Sequence, residues 1–253
     1  MNKDRAEKYQ SAYMADYGFE GVMVHYRRKL LLERLSKFRP AVVVEIGCGS
    51  ELLYEGLLKA GGGAECWIIV EPADQFADIA RASNLPNLHV VSEFFENAVD
   101  EVQKHLPHQP DMVICSGLLH EVPSASELLK AIQGIMGDLS LLHLNVPNSE
   151  SFHRRLAKTM GIIVDTKAMS DRNTSLLQHR VYDIQSLKAD LASAGLNAIE
   201  EGGYLVKPFT HGQMEKIVPV IGDQVLDGLF QLGREIPELA SEIFVEARRI
   251  SRE

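Results

Sequence analysis

The chain is short of several things, and each shortage excludes a class of protein. Three cysteines in 253 residues, Cys48, Cys66 and Cys115, form no C-x-x-C pair and no histidine-spaced set. That excludes a disulfide framework and a zinc finger, and the three read as reduced thiols near buried strands. No apolar run approaches the roughly 18 residues a membrane span requires. No apolar stretch follows Met1-Asn2-Lys3-Asp4-Arg5 to act as a signal peptide, so a soluble, cytoplasmic protein without membrane insertion is expected. Basic residues are outnumbered, 26 Lys and Arg against 35 Asp and Glu, for a net charge of -9. Nucleic acid is therefore not the expected partner, because phosphate-dominated binding wants a basic face. No acidic cluster with ligand spacing points to a metal, and neither repeats nor low-complexity linkers occur.

What is present starts at Val42-Val43-Val44-Glu45-Ile46-Gly47-Cys48-Gly49-Ser50, an apolar run that ends in an acid and a G-x-G turn. The run suits a strand buried on both faces, and glycines remove the Cβ atoms that block close approach to a ligand. A dinucleotide fingerprint needs a third glycine, but Ser50-Glu51-Leu52 follows, and no P-loop lysine is present. A second buried-strand pattern, Trp67-Ile68-Ile69-Val70-Glu71-Pro72, ends in an acid about 25 residues further on, near βαβ spacing. A carboxylate there can accept both ribose hydroxyls. A G-x-G turn without a phosphate cradle, together with an acid for a ribose, fits an adenosine-type cofactor carrying an amino acid.

At these residues the chain resembles the class I S-adenosylmethionine-dependent methyltransferases, most closely over residues 40 to 150. The resemblance implies S-adenosyl-L-methionine as cofactor and S-adenosyl-L-homocysteine as product. It places Glu45, Gly47, Cys48, Gly49, Glu71, Pro72, Ser116 and Gly117 on the cofactor. After the third strand, Glu93 either accepts a hydrogen bond from the adenine amine, with Phe94 packed on the ring, or simply opens a helix whose dipole favours acids.

Strand patterns at 41–46, 66–71, 88–92, 111–116 and 139–145 alternate with helical ones such as Leu128-Leu129-Ala131-Ile132-Ile135. They predict an α/β fold with a doubly wound, Rossmann-like parallel sheet and a ligand at its switch point. Residues 184–195 read as a helix, with further strands at 198–207 and 242–249. The family completes a seven-stranded sheet with an antiparallel last strand. The expected division is an N-terminal helical cap over 1–38 and a catalytic domain over 39–253. Within the latter lie a lid-like segment at 149–183 and helices inserted at 209–240. In the cap, Tyr9, Tyr13, Tyr17, Met23, Tyr26 and Leu30 to Leu32 suggest helices that cover something. In similar methyltransferases such helices close over the cofactor. Arg27 or Arg28 can then hold its carboxylate in a bidentate contact and Tyr9 or Tyr13 can hydrogen-bond nearby, although surface placement and core packing are the common alternatives.

The fourth strand leads into Ser116-Gly117-Leu118-Leu119-His120-Glu121-Val122-Pro123. Methyl transfer from a sulfonium needs alignment and exclusion of water, and a hydroxyl acceptor must also lose a proton. His120 is the candidate general base, with Glu121 either orienting it or belonging to the next turn. After the fifth strand, Asn145, Asn148 and His153 are candidates for contact with the acceptor. Residues 151–180 carry six Lys or Arg against two acids, a local excess that hints at an anionic acceptor held by Arg154, His179, Arg180 and Lys207. Asn145-Val146-Pro147-Asn148, Gln178-His179-Arg180 and Val206-Lys207-Pro208 are similar to a bacterial subgroup that modifies surface saccharides or small metabolites. That implies O-methylation of a saccharide, a sugar-linked phosphoryl group or a small acidic metabolite. N-methylation of a small metabolite, a nucleotide-binding oxidoreductase and a catalytically silent cofactor-binding protein stand as alternatives. Apolar helical tails are compatible with a homodimer.

Overall fold

Five short apolar runs make the parallel part of one sheet, and all but the edge strand are covered on both faces. They are β1 (Val42–Ile46), β2 (Cys66–Val70), β3 (Leu88–Val91), β4 (Met112–Ser116) and β5 (Leu141–Pro147), with every residue of β1 and β2 buried. Two later strands, β6 (Leu196–Tyr204) and β7 (Glu242–Arg249), give the order β3-β2-β1-β4-β5-β7-β6. β1 lies parallel to β2 and β4, whereas β7 runs antiparallel to both β5 and β6. The order reverses between β1 and β4, so a crevice opens above their carboxyl ends. The computed structural model describes residues 18–250 together with Glu7 and Ser11. The roles expected for Tyr9, Tyr13 and Tyr17 lie outside the described residues.

The crossover helices α2 (Leu53–Lys59), α3 (Asp74–Ala82), α4 (Phe95–His105) and α5 (Ala125–Ile135) cover the two faces of the parallel strands. Their apolar stripes make two cores. Val44, Ile68, Val113 and Leu144 pack with α4 and α5 on one side, and Val43, Trp67, Ile69 and Ile114 pack with α2 and α3 on the other. A third core joins α1 (Glu20–Phe38) to α9 (His211–Glu235), through Phe19, Met23, Tyr26 and Leu30 against Tyr204, Met214, Leu226 and Phe230. Burial of Met23, Tyr26, Leu30 and Leu31 agrees with the stripe read in the N-terminal segment. Arg34 fastens α1 to the far edge of the sheet, with ion pairs of 2.5 Å to Glu200 on β6 and 3.3 Å to Glu246 on β7.

Between β5 and β6 lie α6 (Phe152–Thr159), α7 (Asp171–Ser175) and α8 (Ile184–Ser193). Asp183 caps α8, accepting from the Ser186 backbone N–H in a reciprocal box. The inserted helix α9 is broken at Gly222, where φ is 70°. The expected strand over 198–207 stops at Tyr204 because Leu205 adopts a left-handed φ of 58°, which takes Val206 and Lys207 out of the sheet. Among the described residues no helix is long and apolar enough to cross a membrane.

Candidate active site

The chain leaves β1 through two left-handed glycines, Gly47 (φ 79°) and Gly49 (φ 62°). A Cβ on Gly49 would meet nothing within 4 Å, so the space above this turn is open and the glycine is needed for its conformation. The turn borders a cavity of about 320 Å³ at the carboxyl ends of β1, β2 and β4. Glu71, directly after β2, reaches across to the turn. Its carboxylate accepts from the Cys48 N–H at 3.2 Å and the Ala73 N–H at 2.9 Å. Burial raises its pKa, and those backbone donors oppose the rise. Glu71 lines the cavity, and a carboxylate there offers a ribose diol two acceptor oxygens.

Glu45 lies on the same wall, buried and accepting from Trp67 Nε1 at 2.9 Å. Burial pushes its carboxyl up to about 7, against the pull of Arg28 and Trp67. Cys48 lines the cavity too, but burial beside Glu71 pushes its thiol up and leaves it unsuited to nucleophilic work. Pro72, Phe76, Phe94 and Phe95 supply apolar walls. An adenosyl group fits these residues: a turn open above Gly49, an acid anchored by backbone donors, and flat apolar surface beside it.

At the other end, β4 runs out through Ser116 and Gly117 into His120. Gly117 (φ 69°) lies so close to Arg27 that a Cβ would sit 3.3 Å from its guanidinium carbon. His120 is buried and lines the cavity, with Nε2 3.3 Å from Glu121 Oε1 and with Nδ1 lacking a hydrogen-bond partner among the described residues. Its carbonyl accepts from the N–H groups of His179 and Arg180 at 2.9 and 3.3 Å, so the segment after α7 is stitched to the end of β4.

A family model described as a methyltransferase domain matches residues 23–201. The chain belongs to that family. The resemblance to the class I methyltransferases, and the fold expected from it, are borne out. The ubiquinone biosynthesis O-methyltransferase of Hydrogenovibrio crunogenus is 28% identical over 111 residues, which are 43% of this chain and 44% of that protein. The chain spans less than half the length of the curated relatives it matches. A chain of the complex between the Haloferax volcanii Trm112 methyltransferase activator and its partner superimposes with a TM-score of 0.59 at 14% identity, covering 98% of both chains. The N-methyltransferase NodS of Bradyrhizobium japonicum, solved with S-adenosyl-L-homocysteine, gives 0.56 at 10% identity over 97% of this chain and all of its own. These structures share the fold.

Within this methyltransferase domain the residues singled out from the sequence separate into two groups. Glu45, Gly47, Cys48, Gly49, Glu71, Pro72, Phe94, Ser116, Gly117, His120, Asn148, His153, Arg154 and Arg180 line the cavity. Glu93 does not: its carboxylate accepts from the Phe94 N–H at 2.8 Å, and Glu96 takes the place on the wall. Asn145 is buried under the sheet end, donating to Tyr204 Oη and Glu242 at 3.0 and 2.8 Å. His179 is not on the cavity wall, and its backbone N–H donates to the His120 carbonyl. Arg27 reaches the cavity, but its guanidinium is already paired with Glu242 and Glu20. Arg28 is the less committed of the two, 3.3 Å from the Cys48 carbonyl and 3.6 Å from the exposed Glu51. The charge excess in residues 151–180 is largely neutralised locally. Arg154 donates to the Thr166 and Ala168 carbonyls, and Arg155, Lys167 and Arg180 pair with Glu150, Asp183 and Asp190.

Glu20, His211 and Glu242 also line the cavity and were not singled out from the sequence. Glu20 and Glu242 open their elements, and His211 begins α9, so each comes from a place where a strand or helix meets the crevice. Only the tertiary fold brings such separated positions together.

Proposed function

We propose that the protein is an S-adenosylmethionine-dependent methyltransferase that methylates an oxygen of a small anionic acceptor, with His120 as general base. The observation that carries this reading is a single cavity lined by the Glu71 carboxylate and the G-x-G turn at one end and by the buried His120 at the other. When bound, the sulfonium cofactor supplies an electrophilic methyl group. Glu71 holds the ribose, Arg28 is placed for the amino-acid carboxylate, and Phe94 and Phe95 exclude water from the adenine wall. His120 accepts the proton of the acceptor hydroxyl, and Glu121, 3.3 Å from Nε2, orients the ring. Holding the acceptor in line supplies the rest of the acceleration.

The segment around α6 and α7, which borders the acceptor end, acts as the lid in this reading, and α1 as part of the cap. Membership in a methyltransferase family speaks against the oxidoreductase alternative. N-methylation keeps a place because NodS, which shares the fold, is an N-methyltransferase, and an amine that is already neutral needs no base. An acceptor screen with His120→Ala separates the two. A loss of about 10²-fold or more on a hydroxyl acceptor supports the base, and a near-normal rate on an amine supports the alternative. Cofactor binding with no turnover on any acceptor would favour the silent protein. Light scattering with and without cofactor reads out whether a homodimer forms.

A further inference from the structure

Lys207 is 3% exposed and lines the acceptor end of the cavity, just past the left-handed turn at Leu205. Its Nζ lies 2.8 Å from Nδ1 of His211, whose Nε2 is 3.4 Å from Glu20 Oε2. With Lys207 as an ammonium, Nδ1 accepts from the lysine and the ring hydrogen lies on Nε2, the nitrogen nearer Glu20. His211 is the hydrogen-bonding partner of Lys207 among the described residues. An ammonium has three donors, so two are left for whatever enters the cavity. Four of the six basic side chains of residues 151–180 are differently placed, since Arg154, Arg155, Lys167 and Arg180 are spent on carbonyls and acids. Glu20 is shared as well, facing Arg27 at 3.2 Å and Arg172 at 3.9 Å.

A buried ammonium without an ion-pair partner is costly and is stabilised by an anion at hydrogen-bond distance. We infer that Lys207, oriented by His211 and Glu20, is the residue that grips an oxyanion of the acceptor, a carboxylate or phosphoryl oxygen, and so selects acids over neutral compounds. This assignment rests on the methyl-transfer reading and names the part of the site that sets the acceptor class.

The grip is coupled to a proton. Burial pulls the Lys207 amine down to about 7, with Arg172 and Arg154 adding to the fall and Glu20 and Glu242 opposing it. His153 and His211 complete the titratable surroundings, and burial keeps both below the usual histidine range. An oxyanion at Nζ favours the ammonium, so binding above neutral pH takes up a proton and weakens as pH climbs.

The test is NMR of the protein labelled at lysine Cε and Nζ and saturated with S-adenosyl-L-homocysteine, so that the cofactor's own carboxylate is already in place. The Lys207 resonance is assigned by its loss in Lys207→Gln, or in Lys207→Arg should the first variant not fold. Chloride is then replaced by inorganic phosphate or by acetate at matched ionic strength. The inference expects at least one of the two to raise the Lys207 titration midpoint by about one pH unit or more, and which one does so tells a phosphoryl from a carboxylate acceptor. The rise should shrink in His211→Asn, which removes the orienting ring. An unchanged midpoint with both anions, in protein that still binds S-adenosyl-L-homocysteine, overturns the inference and leaves the methyltransferase reading standing. Failure to bind S-adenosyl-L-homocysteine sinks that reading and the acceptor assignment with it.

Discussion

The Glu71 carboxylate braces the glycine turn through Cys48 and the start of the next helix through Ala73, and in the proposed function it also holds the ribose. A hydrogen bond to a charged group contributes about 1.5–3 kcal/mol. Glu71→Ala should therefore weaken S-adenosyl-L-homocysteine binding by about 10- to 100-fold, as read by calorimetric titration; affinity within twofold of wild type would deny the carboxylate its role. His120→Ala should leave that binding near normal and slow transfer to a hydroxyl acceptor by about 10²–10⁴-fold, as a single-turnover assay would show. Glu71 could be read from the sequence because an acid directly after a buried strand in a βαβ unit has few other places to go. Glu93 could not be resolved, since an acid opening a helix and an acid beside an adenine look alike until the side chain is seen bonded to the Phe94 N–H. In the sequence Lys207 stood out only as an addition to the basic segment at 151–180 and within Val206-Lys207-Pro208. Its special position depends on Leu205 turning left-handed, which nothing about a leucine announces.

Elements were legible wherever local pattern and tertiary use agree. The five parallel strands fall within a few residues of the expected runs because continuous apolar stretches bounded by turns have one use in such a fold. Where tertiary contacts decide, the sequence was silent. α9 is broken at Gly222 and docked at Gly233, whose missing Cβ lets the helix lie against the backbone of Tyr204 and Leu205. A Cβ on Gly233 would sit 2.3 Å from the Leu205 nitrogen. Gly233→Ala should then cost about 1–3 kcal/mol of stability by overpacking, measurable by denaturant unfolding. It should also disturb the neighbouring turn that presents Lys207. An unchanged midpoint would mean that α9 shifts freely and does not fix that wall of the cavity.

The whole molecule carries its ionisable groups in opposed positions, and its stability against pH should show them. Glu45 titrates at about 7 in the fold against an ordinary 4.5, so the folded state holds the extra proton between those values. Its contribution is fully present below pH 4.5 and is lost as pH rises towards about 7, with a slope of up to about 1.4 kcal/mol per pH unit. His153 acts the other way: its folded value of about 2 against 6.5 makes stability rise with pH over much of the same range. Glu45→Gln keeps an oxygen for Trp67 Nε1 and removes the first effect alone. Denaturant unfolding from pH 4.5 to 7 should show the variant gaining on wild type as pH rises; parallel curves would mean that Glu45 titrates normally.

The central claim, that a cavity built around Glu71 and the G-x-G turn holds an adenosyl cofactor, is tested most directly by calorimetric titration of wild type and Glu71→Ala with S-adenosylmethionine, S-adenosyl-L-homocysteine and NAD. The account predicts that wild type binds the first two, that the variant binds both more weakly, and that NAD gives no heat. Binding of NAD in preference to either sulfur compound, or binding of neither, would contradict it.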